Sequence, residues 1–183
     1  MHRSRTPIQG WSFVMQGQSE AGIEQMRQGL TALQTTDAKR ALPYYRALLA
    51  EGYGAAGQPD EGLRVLAEAF AAVATTAERR WEAELYRLQG ELLLRAAGRK
   101  QKAEETPETC FRQALEVARH QRAKSLELRS AISLARLWQR QGKRAEARAL
   151  LEPVYGWFTE GFDTADLQEA KALLEALTHE LGN

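Results

Sequence analysis

A glycine punctuates the chain at near-regular distance: Gly17, Gly57, Gly98 and Gly142, separated by 40, 41 and 44 residues. Each follows a stretch of helix formers and precedes another. A glycine there is suited to the left-handed residue that ends a helix. Pro59 and Pro107 stand at first helical positions, where a missing N–H costs nothing, and Thr106 is placed to cap the second of these helices. Strand signals are nearly absent, whereas Leu, Ala, Glu, Gln and Arg abound. The spacing therefore predicts helix pairs repeated about every 40 residues.

A second register runs through the same units. Small residues stand upstream of the turns at Gly10, Ala50, Gly90 and Ala135, each followed three positions on by Phe13, Tyr53, Leu93 or Trp138. Beyond the turns, small residues recur at Gly22, Gly62 and Ala147, and again at Gly29, Ala69 and Val154. An inserted stretch shifts the third unit, where Ala114 takes that role. Small residues at fixed places let helices cross closely, and large ones fill the gaps between them. On this reading Gly90→Leu destabilises the chain. Helices are expected at 7–16, 19–34, 40–56, 59–74, 77–97, 107–121, 123–141, 144–159 and 165–180, with a widened loop at 99–106. Pro153 should kink the eighth. The ninth, capped by Thr164, has an apolar stripe of Leu167, Ala170, Leu174 and Leu177 and a polar side with Glu169, Lys171 and Glu175.

Gly10-x-x-Phe13, Gly90-x-x-Leu93 and Phe111-x-x-Ala114 resemble elements of the tetratricopeptide repeat. The leading Trp and closing Pro of that family are missing, and the period is about 40 instead of 34. The expected fold class is all-α: an α-α superhelix, a right-handed tetratricopeptide-like solenoid of four helix pairs with a C-terminal capping helix. One domain spans 1–183, with pairs near 7–34, 40–74, 77–121 and 123–159 and the cap at 165–180. The run from Gly156 to Ala170, with 82–88 and 124–129, resembles the end of large bacterial signalling proteins. Those carry a nucleotide-cyclase domain, an AAA-type ATPase and a tetratricopeptide tail. The resemblance implies that this chain corresponds to the tail, without the catalytic modules.

Little in the sequence points to catalysis. Gly142-Lys143 lacks the upstream glycine of a phosphate-binding loop, where Leu137 stands instead. His2, His120 and His179 are far apart, and Cys110 is the single cysteine, so no metal site, disulfide framework or cofactor is expected. The Glu104-Glu105 pair reads as a solvated charge run. No stretch approaches the roughly 18 apolar residues of a membrane span. The basic start Met1–Pro7 lacks an adequate apolar run behind it, so a cytoplasmic, non-enzymatic protein is expected.

The net charge of +1 hides a segregation. Residues 95–148 carry a net +8, residues 1–94 carry −1 and residues 149–183 carry −6. In tetratricopeptide arrays the first helix of each pair lines a concave groove. The resemblance places there Trp11 and Val14; Tyr44, Ala47 and Glu51; Glu84, Arg87 and Glu91; and Arg129, Ile132, Arg136 and Arg140. Arg129, Arg136 and Arg140, spaced by 7 and 4, share one helix face. Guanidinium forks on one face suit a protein or peptide ligand rich in carboxylates. Alternatively, Glu84 and Glu91 pair with Arg129 and Arg136 as a structural ladder. The runner-up function is nucleic-acid binding through the basic segment 95–148, against which the low net charge weighs. At the N-terminal end Ile8, Trp11, Phe13, Val14 and Met15 crowd one short helix. They are expected to be exposed, forming an interface through Trp11, Phe13 and Val14 for a partner or for self-association.

Overall fold

The computed structural model of the protein describes residues 7–34, 40–96 and 106–179. These form nine helices among the described residues: α1 (Pro7–Met15), α2 (Ser19–Gln34), α3 (Leu42–Ala55), α4 (Pro59–Thr76), α5 (Glu82–Ala96), α6 (Pro107–His120), α7 (Lys124–Arg140), α8 (Arg144–Tyr155) and α9 (Ala165–His179). Two compact units divide the chain, Met1–Glu104 and Glu105–Asn183. The boundary falls inside the third pair as read from sequence. The turn expected at Gly98, most of the loop 99–106 and the Glu104-Glu105 pair lie outside the described residues.

The glycine register explains the turns. Gly17, Gly57 and Gly142 adopt φ of 84°, 73° and 78°. In each, the amide just past the glycine closes back on a carbonyl five residues earlier. Gln18 bonds Phe13, Gln58 bonds Tyr53 and Lys143 bonds Trp138, all at 2.9 Å. This is the Schellman closure of a helix end. Its acceptors are the large apolar residues that recur with the glycines. Two connections make the same left-handed turn without glycine, at Ala77 and Arg122, each with φ of 56°. Ala77 ends α4, and a turn at 78–81 delays α5 to Glu82, five residues later than the sequence pattern predicts.

Small residues do set the crossings. A Cβ on Gly10 would stand 2.6 Å from the Gly22 carbonyl oxygen, and one on Gly22 would stand 2.5 Å from that of Gly10. One repeat later, a Cβ on Gly62 would meet the Ala50 oxygen at 2.9 Å. In the last pair Ala135 and Ala147 are both fully buried. Gly90 is buried as well.

Within the first unit, α1 packs on α2 and α3 on α4, with α2–α3 and α4–α5 joining the pairs. Its core includes Met26, Leu49, Tyr53, Leu66, Leu85 and Leu92. Within the second, α6 packs on α7, α7 on α8 and α8 on α9, around Leu128, Ile132, Leu151, Leu167 and Leu177. Next-but-one packing runs between odd-numbered helices: α1 with α3, α3 with α5, and α7 with α9. The odd helices thus form the tighter, inner layer of each unit.

Several local expectations change. Pro153 lies inside α8, which ends two residues later at Tyr155 instead of reaching 159. The Thr164 hydroxyl turns back to donate to the Gly161 carbonyl at 2.7 Å. On α9 the buried stripe is Leu167, Ala170, Leu173 and Leu177; Leu173 joins it, Leu174 packs on the same core only partly buried, and Glu169 lies at the edge of the packed side. Thr106 caps α6 as expected, accepting from the Thr109 amide at 3.2 Å.

Candidate interaction face

Every groove residue named from sequence sits on an odd helix. In the first unit Trp11, Glu51, Arg87, Glu84 and Glu91 form a polar row. The Trp11 indole Nε1 on α1 donates to Glu51 Oε2 on α3 at 2.8 Å. Glu51 in turn lends its negative charge to Arg87 on α5. Arg87 donates through Nε and Nη2 to both oxygens of Glu84, at 2.9 and 2.7 Å, a forked pair. Its Nη1 lies 3.8 Å from Glu91. Burial alone would lower the Arg87 pKa. The Glu84 hydrogen bonds, with the charges of Glu84, Glu91 and Glu51, overcome it and raise the pKa above the ordinary guanidinium value.

Burial sorts these residues. Glu84 and Arg87 are only 7% and 8% exposed, so their forked pair is buried on α5. Glu51, Glu91 and Tyr44 are half-buried. Tyr44 packs its ring 4.6 Å from Trp81, an aromatic neighbour the sequence pattern does not reveal because Trp81 precedes its helix. Ala47 and Val14 belong to the core, as does Ile132 in the second unit.

The N-terminal expectation is corrected in part. Ile8, Phe13 and Met15 are exposed. Val14, however, is buried against α2, and Trp11 packs on the same core. A nine-residue helix still has a packed side, and Gly10 and Val14, four apart, define it. Of the three interface residues named from sequence, only Phe13 is exposed.

In the second unit the arginine row on α7 meets carboxylates from α9. Arg136 Nη1 lies 2.8 Å from Glu169 Oε1, and Arg129 Nε lies 3.9 Å from Asp166 Oδ2. Arg140 is exposed and has no ion-pair partner among the described residues. Asp166 and Glu169 were missed as site residues. Their spacing of three, in phase with Leu173, is the signal that places them on the packed edge.

Four further basic residues of the second unit gather around two glutamates. Glu108 accepts from Trp138 Nε1 at 3.1 Å and from Arg112 at 2.9 Å, with Lys143 at 3.7 Å. Arg112 also lies over the Trp138 ring. Glu127, 5% exposed, accepts from Arg119 at 2.9 Å and Lys124 at 2.7 Å. Burial would raise both carboxyl pKa values, but these donors and the cations behind them hold both below the ordinary range. Among the described residues, no group of three or more His, Cys, Asp or Glu side chains is placed to hold a metal ion. No described helix is long and apolar enough to cross a membrane.

The fold is that of tetratricopeptide-like helical repeats. The nearly identical TPR-like repeats of a Podosopora anserina protein described as a kinesin light chain superpose with a TM-score of 0.67 at 20% identity, covering 100% of this chain and 90% of that one. A second crystal structure, of a single-substitution form of the same repeats, gives 0.68 at 20% identity over 98% and 86%. No family model matches the sequence, and no curated protein does.

Proposed function

We propose that this chain is a non-catalytic scaffold that binds a protein or peptide through the inner face of its odd helices. The observation that carries the reading is the polar row along that face. Trp11 and Glu51, 40 positions apart, are joined across neighbouring repeats, and Glu51 leads on to Arg87, so this face presents a line of functional groups. Arg136 and Arg140 add charge that an acidic partner would neutralise. The cellular setting we propose is cytoplasmic, with the chain serving as the adaptor or sensor tail of a bacterial signalling system. The stretch from Gly156 to Ala170 supports that setting. The helix pairs are proposed to act as one array. Exposed Ile8, Phe13 and Met15 would serve a partner or a second copy.

A nucleic-acid role for 95–148 has less support, because Arg112, Arg119, Lys124 and Lys143 already face Glu108 or Glu127.

Affinity capture from the source organism at low and high salt tests the scaffold. The wild-type chain is compared with a variant carrying Arg129→Ala, Arg136→Ala and Arg140→Ala. A salt-sensitive protein partner lost in the variant is the expected result. Equal capture by a variant of unchanged helicity removes the arginine face from the proposal.

A further inference from the structure

We propose that the carboxylates of α9 are a built-in competitor for the arginine row of α7, and that an acidic peptide binds this face by displacing Glu169 from Arg136. The inference rests on the scaffold reading above and names its ligand chemistry and its regulation.

The geometry begins with α9. Its buried Leu167, Ala170, Leu173 and Leu177 hold it against the second unit, and α9 packs directly on α7. That packing brings Asp166 and Glu169 to the seam. The pairs Arg129–Asp166 and Arg136–Glu169 advance together along both helices, so the two run parallel there. One turn beyond Glu169, the same edge of α9 carries Leu173, which is buried. The next residue of the row on α7 is Arg140. The helix therefore supplies two carboxylates to three guanidiniums. Arg140 is left exposed, without an ion pair among the described residues.

The pairs that do exist are open to exchange. The Arg136 and Glu169 side chains are 50% and 35% exposed, and those of Arg129 and Asp166 are 33% and 44% exposed. Water reaches both partners, so each pair is weak and readily traded. An incoming chain of carboxylates gains Arg140 at once. It then takes Arg136 as Glu169 rotates into solvent, while the apolar contacts of α9 stay in place. The competitor is covalently attached, so its effective concentration is high and the face answers only to ligands bearing several carboxylates.

The test uses fluorescein-labelled hexaglutamate at low salt, read by fluorescence anisotropy. The whole chain is compared with Glu169→Gln, Arg140→Gln and Glu175→Gln. Glu175 lies on the same helix but pairs with Lys171, so its variant controls for net charge. Glu169→Gln is expected to bind about two- to five-fold more tightly than wild type, the size of one exposed ion pair. Arg140→Gln should bind more weakly, and Glu175→Gln should match wild type. If Glu169→Gln gains nothing, or gains no more than Glu175→Gln, internal competition is refuted while the scaffold stands. Absence of hexaglutamate binding in every form refutes the acidic ligand, leaving the scaffold to the capture experiment. A labelled oligothymidine that binds through Arg140 where hexaglutamate does not would overturn the proposal in favour of nucleic acid.

Discussion

The indole nitrogen of Trp11 donates to the carboxylate of Glu51 at 2.8 Å, across a separation of 40 residues. That separation is the spacing of the first two turn glycines, Gly17 and Gly57. The bond thus joins different residue types at one register position of successive repeats. Trp11→Phe keeps an aromatic body and removes the donor. It is expected to destabilise the fold by about 1.5–3 kcal/mol, the range for a hydrogen bond to a charged group. A double-mutant cycle with Glu51→Gln, read by urea denaturation, should return a coupling energy well above the roughly 0.3–0.5 kcal/mol scatter of independent sites.

Arg87 and Glu84 form the one buried forked pair described on the inner face. Removing one partner leaves the other charge stranded. Arg87→Met should therefore cost about 3–5 kcal/mol. The double variant Arg87→Met with Glu84→Gln should recover part of that loss. Equal melting of the single and double variants would show that the pair's charges are not what holds α5.

The crossing of α1 and α2 admits no side chain at Gly10 or Gly22. Gly10→Ala would force its Cβ onto the Gly22 carbonyl and should destabilise by about 1–3 kcal/mol. Gly17→Ala tests the turn separately. No atom crowds that site, but φ of 84° disfavours any side chain, and a loss of about 1 kcal/mol is expected. A neutral Gly10→Ala variant, judged by chemical denaturation, would mean the helices are not in contact there.

Stability should fall in acid through Glu127 and Glu108. Both folded-state pKa values lie below those of the unfolded chain. The contribution is present above the unfolded value of about 4.3 and is lost as pH falls through the folded values. Urea midpoints measured between neutral pH and about pH 3 should decline through this window. Glu127→Gln should lower the midpoint at neutral pH and flatten the decline, since it has no proton to gain.

The helices, the packing of α1 on α2, α3 on α4 and α7 on α8, and the close approach of Gly10 and Gly22 were legible in the residues because each depends on local chemistry. A glycine ends a helix through its own backbone freedom, so Gly17, Gly57 and Gly142 could be read directly. Ala77 and Arg122 make the same turn with no such signal, since neither residue type favours positive φ. This is why the start of α5 was placed too early. The groove residues were legible only as positions on odd helices. Whether a charge on that face is presented or consumed depends on what lies opposite.

The sequence by itself determined an all-α chain of helix pairs, because period, turn glycines and small-residue register act within a few turns of helix. Tertiary structure alone decided the fate of the polar side chains. Packing of α5 in the first unit left Arg87 buried with Glu84, and the stripe around Leu173 turned Glu169 toward Arg136 while leaving Arg140 exposed. Such pairings depend on where one helix edge meets another, and small rotations of α9 set them. The phase of an apolar stripe read from sequence is too coarse to resolve rotations of that size.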